Sequence, residues 1–377
     1  MSQGFDRVAV THEWLTIPGG SEKVVLELLE LEPDAEIFTS VYDPEGGWPQ
    51  RLRERTIHTS LLNRIPGAAR NYPKLLPLMD TAFRSFDLDG FDLILSSNHA
   101  CAKNVRTPPH ALHVCYCHTP MRYAWDPSFL EGEQLGRVAR TAFSALVPIL
   151  RRTDLRGSRQ PDHFVANSTF VAQRIRRHYG REATVIHPPV EVARFAGSPR
   201  APEEPYLFFG RVVPYKRADL AVAACERLGR KLWVAGEGRD LDRVRAAAGP
   251  NTEFLGRVSD ADLADLFARS RALLFPGVED FGIVPVEAQA AGLPVIAHGV
   301  GGARDSVIDG RTGVLYDDPT VDGLCAAIER FETLTLQDAD LRAQAAGFAP
   351  EHFRASMGAL IQRLGAARNA DRRRAAA

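Results

Sequence analysis

What most constrains this chain is a rhythm that runs twice: short β-branched and aromatic runs alternate with longer helical patterns, and a proline-rich break separates the two series. Such alternation is the mark of parallel sheets whose strands are joined by crossover helices. In the first series the strand candidates are Arg7 to Thr11, Glu36 to Val41, Phe91 to Ser96, Leu112 to Cys117, His163 to Asn167 and Ala183 to His187. Pro188, Pro189, Pro199, Pro202 and Pro205 then crowd the stretch up to Tyr206, where a domain boundary belongs. In the second series Tyr206 to Gly210, Lys231 to Gly236, Thr252 to Gly256, Ala272 to Pro276, Pro294 to Gly299 and Gly313 to Tyr316 read as strands. Helical spacing marks Asp219 to Leu228, Leu241 to Ala248 and Leu263 to Ser270 between them. The expectation is an α/β protein of two Rossmann-like, doubly wound domains facing a central cleft, residues 1–195 and 196–350. Residues 351–377 should add a C-terminal helix that packs back on the first domain, with a frayed tail after Leu364.

At 377 residues the chain is long enough for two cores, and a formal net charge of -1 supplies no global field for nucleic acid. No nucleic-acid partner is expected. The five cysteines sit mostly in apolar runs, and the Cys115 and Cys117 pair, one residue apart on a strand, would place both thiols on one face. Neither a disulfide nor a metal site is expected, and nothing calls for a cofactor. The N-terminus lacks a secretory profile, and no apolar stretch approaches the roughly 20 residues of a membrane span, so a cytoplasmic protein is expected.

Three loops at strand ends carry chemistry. Pro18-Gly19-Gly20-Ser21-Glu22 precedes an amphipathic helix pattern, so Gly19 and Gly20 either admit a ligand to the backbone or form an ordinary turn. It is not G-x-G-x-x-G, which disfavours a dinucleotide dehydrogenase. Gly210 to Lys216 leaves the first strand of the second series, where the Arg211 fork and the mobile Lys216 charge suit a diphosphate. The most specific stretch is Pro276 to Ala288, in which Glu279 and Glu287 stand eight positions apart. Pro285 is tolerated only near a helix start, so Phe281, Gly282 and Ile283 should form a helix mouth whose N–H groups face an anion. Glu279 then lies in the loop and Glu287 about a turn inside the helix.

Together with Gly236-Glu237-Gly238 and Phe254 to Val258, these loops resemble the retaining GT-B glycosyltransferases called group 1, or family four. The resemblance implies that Arg211 and Lys216 bind a donor diphosphate, that Phe281, Gly282 and Ile283 contact phosphate, and that Glu287 holds the ribose hydroxyls. Glu279 would face the transferred sugar, and Val258, with Gly19 and Gly20, would line the substrate site. Cys117 to Tyr123 resembles a segment of the branch rich in bacterial mannosyltransferases, which points to GDP-mannose and sets His118 beside the donor sugar. Arg217 departs from the pattern, since many relatives carry Gly after the Lys.

The implied function is metal-independent transfer of a hexose, mannose favoured, from a nucleoside-diphosphate sugar to a glycan or polyprenyl-linked acceptor. A sugar-nucleotide epimerase of the same fold and a non-catalytic nucleotide-sugar-binding subunit are the alternatives. Asp87-Leu88-Asp89 has the letters of a metal-binding D-x-D but precedes its strand, where a turn explains it. Between Gly136 and Arg181 the chain is rich in arginine, from Arg137 and Arg140 through Arg151, Arg152, Arg156 and Arg159 to Arg174, Arg176 and Arg177, against Asp154 and Asp162 only. These flank the apolar run Ala142 to Leu150. That pattern fits either peripheral contact with an anionic membrane or a solvated helix face.

Overall fold

A computed structural model describes residues 4–126, 137–195, 197 and 200–376. It divides into two compact units, Met1–Pro189 with Glu351–Ala377, and Val190–Pro350.

The first unit is built on a seven-stranded parallel sheet: β1 (Val8–His12), β2 (Glu36–Thr39), β3 (Ile57–Thr59), β4 (Leu93–Asn98), β5 (Leu112–Cys117), β6 (His163–Ala166) and β7 (Ala183–Val185). Their order is β3-β2-β1-β4-β5-β6-β7. Strands buried on both faces need apolar runs, and β1, β4 and β5 are buried at every position. β3 escaped sequence reading because it is a three-residue edge strand with no apolar run, held by β2 alone. Cys115 and Cys117 share one apolar face with Phe164, Val171 and Ile175, and burial pushes the Cys115 thiol up to about 12. All five cysteines are free and buried.

The second unit carries six parallel strands: β8 (Tyr206–Phe209), β9 (Leu232–Ala235), β10 (Thr252–Gly256), β11 (Leu273–Phe275), β12 (Val295–His298) and β13 (Gly313–Tyr316). Their order is β10-β9-β8-β11-β12-β13. The chain enters this unit at Val190, ahead of the expected boundary after residue 195. The reason is packing: Val190 and Phe195 are fully buried in its core, and the Val190 amide donates to Phe348 O at 2.9 Å.

At the end of the chain, where a helix with a frayed tail after Leu364 is expected, the helix Pro350–Ala376 runs on the first unit. Phe353, Met357, Leu360 and Ile361 bury themselves beside β1 and β5 residues. Further on, the Arg368 guanidinium bonds Asp162 at 3.1 Å and Pro109 O at 2.8 Å, so side-chain anchoring outlasts the apolar stripe.

Each sheet reverses its strand order once, between β1 and β4 and between β8 and β11. Connections on either side of such a reversal run to opposite faces, and in open α/β sheets the carboxyl ends of the strands at that point are where ligands bind.

Candidate functional site

In the second unit the loops at the reversal carry the residues expected to act. After β8 the chain turns through Pro214–Lys216 and enters the helix Ala218–Leu228; after β11 it runs through Glu279 into the helix Ile283–Ala290. Lys216 Nζ meets Glu279 Oε1 at 2.6 Å. The two loops are pressed together: a Cβ on Gly277 would lie 2.7 Å from both Lys216 Cα and Tyr215 O, so no other residue fits there. Arg211 is exposed next to them, its Nη2 donating to Tyr215 Oη at 3.3 Å.

The helix mouth forms where Pro285 required it. Gly282 is the N-cap at φ 83, a left-handed conformation that favours glycine, and it turns the chain so that the first N–H groups point out of the helix. Pro285 is the third helical residue and has no N–H to leave unbonded. Phe281 is buried, Ile283 half-buried, and Glu287 buried one turn inside. Val258 lies two residues beyond β10, half-buried against the same core. Arg217 is the single described non-glycine residue with positive φ, at φ 56 and ψ 42. That accounts for glycine at this position in the pattern, since an L side chain is strained there. Arg217 Nε donates to Asp219 Oδ1 at 3.1 Å across the resulting turn.

The first unit gathers a second cluster that sequence reasoning had not assembled. His12 ends β1, Ser97 stands near the end of β4, and His118 follows β5. Register places His12 opposite Ser97. His12 Nε2 lies 3.2 Å from Glu22 Oε1, His12 Nδ1 lies 3.1 Å from Ser97 Oγ and 3.2 Å from Ser97 O, and Ser97 Oγ lies 2.8 Å from His118 Nε2. Burial pushes the Glu22 carboxyl up, but the His12 hydrogen bond and charge outweigh it and bring it to about 2. Burial holds His118 down at about 3, so its ring is neutral at physiological pH. Gly19 and Gly20 open the helix Gly20–Leu31, and a Cβ on Gly19 would come within 2.9 Å of Glu22 Oε2. The space the glycine leaves is therefore filled by the Glu22 carboxylate.

Beside this cluster the buried Glu13 carboxylate accepts backbone N–H bonds from His99, Ala100, Cys101 and Ala102, at 3.1, 2.7, 2.8 and 3.0 Å to Oε1. Four donors on one oxygen satisfy a charge that burial would otherwise make costly, and they fix the loop after β4. The available signal was Thr11-His12-Glu13, polar residues ending an otherwise apolar strand.

Asp87 accepts the Asp89 amide at 3.1 Å, a local turn, as expected of that D-x-D. Among the described residues no group of three or more His, Cys, Asp or Glu could hold a metal ion. No helix among them is long and apolar enough to cross a membrane. Gly136 and the side chains of Arg137, Arg140 and Ala142 lie outside the described residues. Of the other arginines in that segment, Arg151 bonds Ala124 O, Arg156 pairs with Asp80, and Arg181 bonds Ser158, Pro161 and Asp162 carbonyls. Arg152, Arg159 and Arg177 are exposed, as are Ile149 and Leu155.

Residues 191–348 match the family described as Glycosyl transferases group 1, and residues 18–194 match Glycosyltransferase Family 4. The chain is 33% identical over 187 residues to glycogen synthase of Mycobacterium tuberculosis, 45% of each chain. It is 33% identical over 227 residues to D-inositol 3-phosphate glycosyltransferase of Nocardiopsis dassonvillei, 52% of each. The matched stretches thus span about half the length of these curated relatives. Among solved structures, Anabaena HepE in complex with UDP superposes with a TM-score of 0.67 at 17% identity, over 94% of this chain and 99% of that one. That likeness gives the two-sheet fold the GT-B type.

Proposed function

Since the chain belongs to the group 1, or family four, glycosyltransferases, we propose that it transfers a hexose from a nucleoside-diphosphate sugar to a glycan or lipid-linked glycan acceptor, with retention of configuration. One observation carries this reading: Lys216 and Glu279 meet at the strand-order reversal, beside exposed Arg211 and an outward-facing helix start. A departing diphosphate needs positive potential, and Arg211, Lys216 and the N–H groups at Phe281, Gly282 and Ile283 supply it without a metal ion. Glu287 is the ribose ligand in this reading, Val258 a neighbour of the nucleoside, and Glu279 a ligand of sugar hydroxyls. In the first unit, His118 is a ligand for a sugar hydroxyl, and Gly19 and Gly20 border the substrate.

Retention follows either from a covalent glycosyl-enzyme or from attack on the face the leaving group departs. With Glu279 given to sugar hydroxyls and Glu287 to the ribose, no carboxylate is left as the nucleophile, which favours the second route. The bond from C1 to the phosphate oxygen breaks, the acceptor oxygen bonds C1 on the same face, and the leaving phosphate takes the acceptor proton.

Mannose is favoured as the sugar by the segment Cys117 to Tyr123; the UDP held by HepE favours a uridine nucleotide. Purified protein incubated with GDP-mannose, UDP-glucose and related donors, scored for nucleotide release with and without glycan acceptors, tests the proposal. Acceptor-dependent release supports transfer. Release or epimerisation from donor alone supports the epimerase alternative, and binding without turnover a non-catalytic subunit. On the acceptor side, Ile149, Arg152, Leu155 and Arg159 are each exposed, and apolar and basic side chains of this kind suit an anionic membrane surface.

A further inference from the structure

The Glu22, His12, Ser97 and His118 contacts form one continuous line of hydrogen bonds running into the loop after β5. Glutamate, histidine and serine in contact could suggest an acyl-transfer triad. Ser97 is fully buried, however, and its oxygen is already shared by two imidazoles, so no substrate carbonyl can reach it. The line has a direction, which obligate acceptors determine.

Glu22 is ionised above about 2 and can only accept, so any proton between it and His12 sits on His12 Nε2. On the other side of the ring, Nδ1 lies 3.2 Å from Ser97 O, and a carbonyl oxygen can only accept as well. The Nδ1 N–H of His12 therefore faces Ser97, while the Glu22 carboxylate stands against the other side of the ring. Nδ1–H then also points at Ser97 Oγ, 3.1 Å away, and that oxygen spends its own proton on His118 Nε2 at 2.8 Å. A neutral His118 whose Nε2 accepts must hold its proton on Nδ1.

We propose that Glu22, His12 and Ser97 are positioning residues that fix His118 in its Nδ1–H tautomer, so that it presents a hydrogen-bond donor to a sugar oxygen. The neighbouring titratable and charged groups leave this line intact. His99, whose ring centre is 6.2 Å from that of His12 and 6.3 Å from that of His118, is held below its ordinary pKa by burial, and the Glu13 carboxylate is saturated by backbone donors. Tyr116 faces His118 edge-on at 5.2 Å, and Arg122 adds positive charge near His99. Gly19 belongs to the device, since its missing Cβ leaves room for the Glu22 carboxylate. The inference rests on the proposed function only for the sugar oxygen; the tautomer can be read without substrate.

The test is nitrogen NMR on the full chain labelled with 15N-histidine, with His12 and His118 assigned from His12→Gln and His118→Gln samples. In the unaltered protein at neutral pH, His118 should show a bare Nε2 and a protonated Nδ1. Ser97→Ala should convert His118 to a mixture of tautomers, and Ser97→Thr, which restores the hydroxyl, should return it to Nδ1–H. A His118 protonated on Nε2 in the unaltered protein overturns the proposal, a result that needs no variant to fold. So does a spectrum unchanged by Ser97→Ala. Failure of every donor in the panel would strike the proposed function and leave this spectrum as it is.

Discussion

Lys216 Nζ and Glu279 Oε1 are 2.6 Å apart although their residues leave different strands, β8 and β11, on either side of the strand-order reversal. Both side chains are largely buried, so each carries a charge that neutralises the other until a ligand intervenes. In the proposed reaction a diphosphate would compete with Glu279 for the ammonium and free the carboxylate for sugar hydroxyls. Lys216→Ala and Glu279→Gln should each lower turnover by roughly 10²- to 10³-fold, the scale of losing one charged contact at the reacting centre. Circular dichroism should be unchanged. Near-normal rates in either variant would remove the residue from the site.

Arg217 gives a prediction about stability. A non-glycine residue at φ 56 pays on the order of 1 kcal/mol, offset in part by its bond to Asp219. Arg217→Gly should hold or raise the melting temperature, whereas Arg217→Val, β-branched in the same conformation, should lower it. Equal melting temperatures for the two would mean that the turn relaxes out of the left-handed region.

The physical content of these sites was unevenly legible in the sequence. Lys216, Glu279 and the helix mouth could be read because each lies within a few residues of a strand end, and Pro285 dates the helix start by itself. Arg217 was visible as a departure, and its backbone conformation supplies the reason. The line from Glu22 to His118 was not legible, because it is assembled by register: His12 falls opposite Ser97 only once β1 and β4 pair in parallel, and Glu22 swings back only because residue 19 is glycine. The contacts after Leu364 were not legible for a related reason: the arginines there have no apolar pattern, but Arg368 meets Asp162 and a carbonyl on the first unit.

His113 sets an acid limit. It is fully buried between Ser96 Oγ at 2.9 Å and Thr107 Oγ1 at 2.8 Å, and burial pushes it down from 6.5 to about 3, helped by the Lys103 charge. The unfolded chain takes up a proton there below its ordinary pKa while the folded chain does not, so stability falls as pH drops from 6.5 towards 3. The slope is about 1.4 kcal/mol per pH unit for the one proton. His118 acts in the same direction, and the Glu22 carboxylate adds a loss below 4.5 that runs to about 2. Urea unfolding of His113→Asn between pH 4 and pH 7 should show a shallower decline than the unaltered chain, whatever its stability at pH 7. Parallel curves would show that His113 is protonated in the folded state.

Activity should survive EDTA, because the positive potential of the proposed site comes from Arg211, Lys216 and the start of the helix Ile283–Ala290. Loss of turnover that magnesium or manganese restores would require a metal in the reaction.

The last prediction concerns where an acceptor is met. On the helix Arg137–Gly157, Ile149 is 58% exposed and Leu155 39%, with Arg152 exposed between them and Arg159 just beyond. Apolar side chains at this exposure cost little to insert among lipid headgroups, and each arginine engaged with an anionic surface adds about 1 kcal/mol. Because Arg151, Arg156 and Arg181 are occupied within the first unit, the attraction should be weak and salt-sensitive. Co-sedimentation should therefore recover part of the protein with phosphatidylserine-containing vesicles at low salt, less at moderate salt, and little with neutral vesicles. Ile149→Glu should abolish that recovery without changing turnover on a water-soluble acceptor. Equal, salt-independent recovery in the supernatant for both kinds of vesicle would leave these residues as a solvated helix face and point to a soluble acceptor.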